Sequence, residues 1–181
     1  MRQLPNLITA VRLVLTPVLV LTILRSQWNS ALWIGIGAGI TDVVDGFAAR
    51  MLRVPSRVGA YLDPIADKIL LSCVYLALGA AHALPWWMVA LVFGRDIFIL
   101  AMCLYGYWCT SIREFPPTVW GKISTLVQIV AAMVVVAERA GFRVRAAPFL
   151  WLMVATTAWS GIHYGWRALR MLKVDELRRA T

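Results

Sequence analysis

Four aspartates lie in otherwise apolar stretches of the chain, in two pairs. Asp42 and Asp45 are three residues apart, and Asp63 and Asp67 are four residues apart. Residues at these spacings lie on one face of a helix. Pro55 indicates a turn between the pairs, so we expect an antiparallel helical hairpin with all four carboxylates near one end. A charge in the middle of a membrane helix costs at least ~2.5–3.5 kcal/mol on insertion scales, so these carboxylates need partners.

Two kinds of partner suit these four aspartates, called the acidic cluster below. One is a structural ion-pair network with the nearby cations Arg50, Arg53, Arg57 and Lys68. The other is a pair of divalent cations, which would balance carboxylates that otherwise repel one another in a partly dehydrated site. Oxygen ligands in this number favour Mg²⁺, with Mn²⁺ or Ca²⁺ as alternatives. Zinc is disfavoured because no His or Cys accompanies the carboxylates.

The elements that must position the acidic cluster are membrane helices. Of the 181 residues, 61% are apolar and 15% charged, which excludes an ordinary soluble globule. A span needs ~20 apolar residues, and backbone polar groups in lipid favour helices. We therefore predict an all-α polytopic membrane protein, a single domain over 1–181, with its active site at the cytoplasmic end of the bundle. Its six spans are expected near 7–25, 30–50, 64–84, 86–109, 119–138 and 147–169.

The basic residues are distributed unevenly about these spans. The net charge of +9 favours anionic headgroups or phosphorylated substrates over nucleic acid in so apolar a chain. With a cytoplasmic N-terminus, eleven basic residues near span ends fall inside and four outside, so both termini are predicted to be cytoplasmic. The outer cluster Arg139–Arg145 is the exception to this bias. The three cysteines, Cys73, Cys103 and Cys109, are interpreted as packing residues.

The acidic cluster belongs to a longer pattern. Residues 42–67 follow D-x2-D-G-x2-A-R-x8-G-x3-D-x3-D in full. This pattern resembles the signature of the CDP-alcohol phosphotransferase family, and eight fixed positions make the resemblance specific. Three further segments are similar to parts of bacterial phosphatidylglycerophosphate and cardiolipin synthases. They are residues 4–9 with Arg12 and Pro17, residues 94–96, and residues 121–125 with Gln128. The resemblance covers roughly residues 4–130 and implies a bacterial inner-membrane location.

The resemblance implies a fold and a reaction. Family members have six transmembrane helices, usually form homodimers, and displace CMP from a CDP-linked lipid with an alcohol. It implies that Asp42, Asp45 and Asp63 hold two divalent ions, Mg²⁺ or Mn²⁺, and that Asp67 contributes to the metal site and acts as general base. It also places against the CDP moiety the residues Gly46, Ala49, Arg50 and Gly59.

The acceptor alcohol is predicted from three cations. Lys122, Arg113 and Arg95 could hold a phosphate on the incoming alcohol, which favours glycerol-3-phosphate and the product phosphatidylglycerophosphate. The alternative acceptor is phosphatidylglycerol, the substrate of the cardiolipin synthase branch, whose diester is also anionic. Arg113 could instead contact headgroups, and Arg95 could belong to an ion pair with Asp96 within the helix bundle.

Two other functional classes also place acids within membrane helices. A cation transporter would have acids along a path through the membrane, whereas these lie at one end of one hairpin. A non-enzymatic scaffold has no evident reason to maintain four like charges together. Both classes are therefore remote alternatives to a CDP-diacylglycerol-dependent transferase.

Overall fold

The computed structural model describes six helices in three stretches of the chain. The backbone is described for residues 4–52, 57–109 and 118–180, and the side chains for 14–40, 67–105, 108 and 118–170. These stretches contain no strand, which confirms the predicted all-α class. The helices in chain order are α1 (Leu4–Leu24), α2 (Trp28–Leu52), α3 (Arg57–Ala80), α4 (Trp86–Cys109), α5 (Val119–Arg139) and α6 (Ala147–Ala180).

The helices follow the predicted apolar stretches, with differences at some ends. α4 has the predicted bounds, and α1, α2 and α5 differ from prediction by at most three residues at either end. α3 begins at Arg57, seven residues before the predicted start at 64, and α6 continues to Ala180 instead of ending at 169. Backbone hydrogen bonds of a helix do not require an apolar sequence, so these two helices extend through charged residues that a hydropathy pattern leaves out.

Two described helices have the length and apolarity of membrane spans. They cover Trp86–Tyr105 in α4 and Val119–Arg139 in α5, and a shorter apolar helical stretch covers Val14–Leu24. Large apolar side chains on the two longer helices are exposed, with Leu100 at 60% and Leu126 at 62% of full exposure. A helix that is apolar on its exposed face is typical of a protein whose solvent is lipid.

The chain forms two compact units. Unit 1 comprises residues 1–85 and 132–145, and unit 2 comprises residues 86–131 and 146–181. In unit 1, α1 packs against both α2 and α3, and in unit 2, α4 packs against α6. The predicted acidic cluster therefore belongs to unit 1, whereas Arg95 and Lys122 belong to unit 2.

Unit 1 is built around large side chains that are fully buried. Ile23 of α1 and both Tyr75 and Leu78 of α3 are inaccessible. Gly35 of α2 lies close to Met133, since a Cβ at this position would be 3.0 Å from the methionine sulfur. The buried side chains among the described residues of unit 1 are mostly apolar and closely packed, so unit 1 has a conventional helical core.

Unit 2 combines an apolar core with aromatic contacts between its helices. Met153 of α6 is fully buried. The rings of Trp87 in α4 and Trp151 in α6 lie 6.1 Å apart, as do those of Trp120 in α5 and Trp159 in α6. Pairs at this separation lie within the range of favourable aromatic contacts, so they help to hold α6 against both α4 and the first part of α5.

Three helices of unit 1 end in the same way. After α1, α3 and α5, the residues Ser26, His82 and Gly141 have positive φ angles of 56°, 53° and 92°. At the last of these, the Phe142 amide donates to the Ala137 carbonyl at 3.1 Å, and the Gly141 amide donates to the carbonyl three residues before it. This is the Schellman pattern, which satisfies the last carbonyls of a helix. Glycine supplies the required backbone only after α5.

The basic cluster Arg139–Arg145 begins at this end of α5. Arg139 Nη2 donates to the His82 carbonyl at 3.0 Å, which ties the end of α5 to the end of α3 within unit 1. Arg143 and Arg145 are exposed. Among the described residues, this contact gives one member of the cluster a structural role at a helix end.

Replacing Gly141 with alanine should destabilise the protein by about 1–2 kcal/mol, because a Cβ disfavours a positive φ. Gly39→Ala is the matched control: Gly39 is helical, and a Cβ there meets nothing within 4 Å. It should leave stability unchanged or raise it slightly. Thermal unfolding in detergent measures both variants, and equal melting temperatures for the two would contradict the assigned helix end.

Candidate functional site

The acidic cluster lies on two consecutive helices at similar distances from the segment that joins them. Asp42 lies ten residues before the end of α2 at Leu52, and Asp67 lies ten residues after the start of α3 at Arg57. Asp45 and Asp63 lie seven and six residues from the same two ends. At 1.5 Å per residue, the outer two are each about 15 Å along their helices. The side chain of Asp67 is exposed, and those of the other three lie outside the described residues.

The other residues of the signature share this placement. Gly46, Ala49 and Arg50 lie in the last turns of α2, and Gly59 lies in the first turn of α3. Their side chains lie outside the described part of the chain, so their predicted contacts with a CDP moiety remain predictions. No group of three metal-ligating side chains occurs among the described residues, a set that includes only Asp67 of the acidic cluster.

A cavity of about 460 Å³ lies in unit 2 and brings two of the predicted cations together. Its polar lining comes from α4, α5 and α6, and its apolar lining comes from α4 and α5. The polar lining consists of Arg95, Gly121, Lys122, Thr125 and Tyr164, and the apolar lining of Ile99, Leu126 and Ile129. Residues four apart on α5, such as 121, 125 and 129, lie on one helix face, which explains why this helix supplies most of the wall.

Arg95 is held in a fixed position at this cavity. Its Nη1 lies 3.0 Å from Asp96 Oδ1, and its side chain is only 9% exposed. Its Nη2 donates to Ser160 Oγ of α6 at 2.8 Å, and Ser160 is fully buried. The buried Nε has no hydrogen-bond partner among the described residues. The ion pair with Asp96 is therefore present, and the guanidinium retains a donor group that is not satisfied.

The first turn of α5 forms the wall beside Arg95. Thr118 caps this helix, because its Oγ1 accepts the Gly121 amide at 3.1 Å. The Thr118 amide donates to the Tyr164 hydroxyl at 3.0 Å. A Cβ on Gly121 would lie 3.2 Å from Arg95 Nη2, so the guanidinium approaches the helix backbone closely. The partly positive end of α5 and the Arg95 guanidinium therefore lie side by side.

Lys122 adds a second cation at the same cavity. It directly follows Gly121, lines the cavity and is exposed. Among the described residues it makes no ion pair, whereas Arg95 has Asp96. Arg113, the third predicted acceptor residue, lies outside the described residues. The cavity thus combines two side-chain cations and a helix N-terminus, an arrangement that suits an anion.

A line of buried polar side chains supports the wall from behind. Gln128 Nε2 donates to Thr157 Oγ1 at 3.1 Å, and Ser124 Oγ lies 3.4 Å from the same hydroxyl. All three residues are fully buried. Buried polar groups stabilise the folded protein when they are hydrogen-bonded and destabilise it when they are not. These bonds fix the first part of α5 against α6.

The sequence pointed to Arg95 and Lys122 but not to the α6 residues that support them. Ser160 and Tyr164 are four residues apart, so both lie on the same face of α6. Thr118 before an apolar helix is a recognisable N-cap signal. A polar residue every three or four positions along an apolar helix, here Thr157, Ser160 and Tyr164, is the pattern that could have identified the supporting face.

Comparison with known proteins assigns the chain to a family. The CDP-alcohol phosphatidyltransferase family model matches residues 2–159, nearly the whole chain. The chain belongs to this family. Membership agrees with the reaction class that the signature at residues 42–67 predicted. It also agrees with the apolar helices described above, since lipid synthesis of this kind takes place at membranes.

The curated relatives differ in the reactions that they are named for. The chain is 30% identical to the CMP-forming cardiolipin synthases of rat and human over 93% of its own length. It spans only 63% and 64% of the length of those two proteins. It is 31% identical to the CDP-diacylglycerol–glycerol-3-phosphate 3-phosphatidyltransferase of Bacillus subtilis, over 94% of this chain and 98% of that protein. Similarity alone is therefore compatible with both predicted acceptors, glycerol-3-phosphate and phosphatidylglycerol.

Replacing Thr157 with valine should destabilise the protein by about 1–3 kcal/mol, because a buried Gln128 donor loses its acceptor. The matched control is Thr156→Val: within the described part of the chain, the Thr156 hydroxyl donates only to the Leu152 and Met153 carbonyls of its own helix. Thermal unfolding in detergent compares the two. A Thr156 variant as unstable as the Thr157 variant would show that the loss comes from the valine and not from the buried bond.

Proposed function

We propose that this chain transfers a phosphatidyl group from CDP-diacylglycerol to glycerol-3-phosphate, releasing CMP and forming phosphatidylglycerophosphate. The observation that carries the choice of acceptor is the cavity of unit 2, where Arg95 and Lys122 lie beside the N-terminus of α5. Family membership and the complete signature at residues 42–67 support the donor and the type of reaction.

The acidic cluster is the proposed donor site. Asp42, Asp45, Asp63 and Asp67 offer the hard oxygen ligands that suit Mg²⁺ or Mn²⁺, and they lie at matching depths in α2 and α3. This family generally depends on divalent metals. Two such ions would neutralise charge on the pyrophosphate and on the departing CMP. The small residues and Arg50 of the signature would lie against the CDP moiety.

The reaction is a displacement at the phosphorus that bears the diacylglycerol. The acceptor hydroxyl oxygen forms a bond to this phosphorus, and the bond from the phosphorus to the CMP oxygen breaks. Asp67 takes the hydroxyl proton as general base, and its exposed carboxylate in α3 is accessible to a substrate. CMP leaves with the electron pair of the broken bond.

The acceptor site is proposed on electrostatic grounds. Arg95 is largely buried and already paired with Asp96, so it supplies directed donors more than net charge. Lys122, which makes no ion pair among the described residues, supplies a net positive charge at the cavity, and the α5 N-terminus adds to it. A phosphate ester would satisfy all three. Arg113 is proposed as a further acceptor residue on its position near the cytoplasmic end of α4.

A specific observation also favours the second acceptor, phosphatidylglycerol. One side of the cavity is formed by Ile99, Leu126 and Ile129, and the last two are exposed on a helix of membrane-spanning character. Such a wall suits acyl chains as well as a small polar ester. The cardiolipin synthases among the relatives agree with this alternative.

The setting of the reaction follows from the same proposal. A nucleotide arrives from the cytosol while the diacylglycerol tails stay in the bilayer, so the site belongs at the inner interface. We propose one membrane domain over 1–181 with six spans, both termini cytoplasmic, in a bacterial inner membrane. A homodimer is proposed from the family resemblance.

The deciding experiment supplies purified protein with CDP-diacylglycerol and Mg²⁺, with glycerol-3-phosphate in one reaction and phosphatidylglycerol in another. CMP release and the lipid product are measured. Phosphatidylglycerophosphate is the expected product. Cardiolipin instead would move the protein to the second acceptor, and absence of both products would contradict the proposed function.

Asp67→Asn should lower kcat by at least about 100-fold, the usual contribution of a general base, while the protein still folds. Glu138→Gln is the control, since Glu138 is an exposed acid at the far end of α5. CMP release and thermal unfolding are measured together, and full turnover by the Asp67 variant would overturn its role.

Chelation by EDTA should abolish CMP release in the wild type, with recovery on adding Mg²⁺ or Mn²⁺.

A further inference from the structure

We propose that Tyr164 is a positioning residue for the acceptor site, acting through the start of α5. Its hydroxyl holds the capping residue Thr118, so that the first turn of α5 stays against the Arg95 guanidinium. This inference rests on the proposed function, in which Arg95, Lys122 and the α5 N-terminus bind the acceptor phosphate.

The start of α5 lacks half of a common capping arrangement. In a capping box, the third helical residue is Glu or Gln, and its side chain accepts the amide of the capping residue. Here the third helical residue is Gly121, which has no side chain to do this. Thr118 still accepts the Gly121 amide at 3.1 Å, and the Thr118 amide donates to Tyr164 of α6 at 3.0 Å. A tyrosine from another helix thus supplies the missing acceptor.

Position 121 suits glycine because side chains of three neighbouring residues lie close to its Cα. A Cβ would lie 3.2 Å from Arg95 Nη2, 3.3 Å from Thr118 Oγ1 and 3.3 Å from Tyr164 Cε2. The guanidinium cannot easily move away, since Asp96 and Ser160 hold two of its nitrogens. A glutamate at this position would complete the capping box, but it would also place a carboxylate at the cavity and compete with an anionic ligand. Glycine with Tyr164 caps the helix and keeps the cavity cationic.

The arrangement needs this support because its components repel one another. A cation beside a helix N-terminus is unfavourable, and Lys122 adds a second positive charge one residue further on. An anion at the cavity relieves this repulsion. Until an anion binds, the Thr118–Tyr164 hydrogen bond and the Arg95–Ser160 hydrogen bond keep α5 and Arg95 together. Ordering that precedes binding improves the affinity for the ligand.

Tyr164→Phe removes the hydroxyl and keeps the ring. We expect the KM for glycerol-3-phosphate to rise about fivefold, the effect of one hydrogen bond, with kcat and the KM for CDP-diacylglycerol unchanged. Tyr105→Phe is the matched control, because Tyr105 is an exposed residue of α4 outside the cavity lining. If the wild type uses phosphatidylglycerol instead, the same comparison is made with that acceptor. An unchanged acceptor KM in Tyr164→Phe overturns the proposal.

A second pair of variants tests the same contact from the other side. Gly121→Ala should raise the acceptor KM because its Cβ displaces the guanidinium. Gly161→Ala places a Cβ near the same arginine but only at an ordinary 3.9 Å from its Cγ, so it should behave like the wild type. Thermal unfolding checks that each variant folds. Equal acceptor KM values for the two alanine variants would contradict the proposed role of Gly121.

A binding measurement that does not depend on catalytic turnover tests the positioning role of Tyr164 separately from the proposed function. Lys122 is acylated in detergent and EDTA at increasing concentrations of inorganic phosphate, with Lys68 as internal reference, and labelling is measured by peptide mass spectrometry. The phosphate concentration that halves Lys122 labelling should rise about fivefold in Tyr164→Phe. This result in a protein that forms neither lipid product would leave the positioning role standing and remove the proposed function. No protection in the wild type, or equal protection in both proteins, overturns the positioning role even if turnover is normal.

Discussion

The buried guanidinium of Arg95 is the interaction on which the described part of the site depends. A cation that is 9% exposed on an apolar helix requires compensation, which Asp96 and Ser160 supply. Because Ser160 belongs to α6, Arg95 links α4 to α6, and its guanidinium lies close to the first turn of α5. The same requirement governs the acidic cluster in unit 1, where the charges are negative. The four residues of the acidic cluster are negative, whereas Arg95 and Lys122 at the cavity of unit 2 are positive, so the two groups suit ligands of opposite charge.

These two charged sites divide the proposed reaction between them. The carboxylates suit the metal-bound pyrophosphate of a nucleotide-linked lipid, and the cations suit the phosphate of the acceptor. Such a division would account for the basic residues Arg95 and Lys122 in helices that otherwise have the composition of membrane spans. In this proposal the cavity of unit 2 would select the acceptor, and its polar and apolar walls are compatible with either of the two acceptors.

Much of this organisation could be predicted from the sequence because it depends on local patterns. The apolar stretches placed all six helices, and spacing alone put the aspartates in pairs on α2 and α3. The ends of α3 and α6 were missed because helices continue through charged residues, which hydropathy does not follow. The supporting roles of Ser160 and Tyr164 were missed for another reason: both depend on contacts more than 40 residues apart in the chain, with Arg95 and Thr118. The spacing of the polar residues along α6 indicates a common face, but it does not indicate which residues of α4 and α5 that face contacts.

The division of the two substrates between the two sites is tested most directly by steady-state kinetics of Lys122→Gln with both substrates varied. The account predicts a KM for the acceptor raised about tenfold, as for loss of one charge-assisted contact, with an unchanged KM for CDP-diacylglycerol and an unchanged Mg²⁺ requirement. A raised KM for CDP-diacylglycerol with an unchanged acceptor KM would contradict it, because Lys122 would then belong to the donor site.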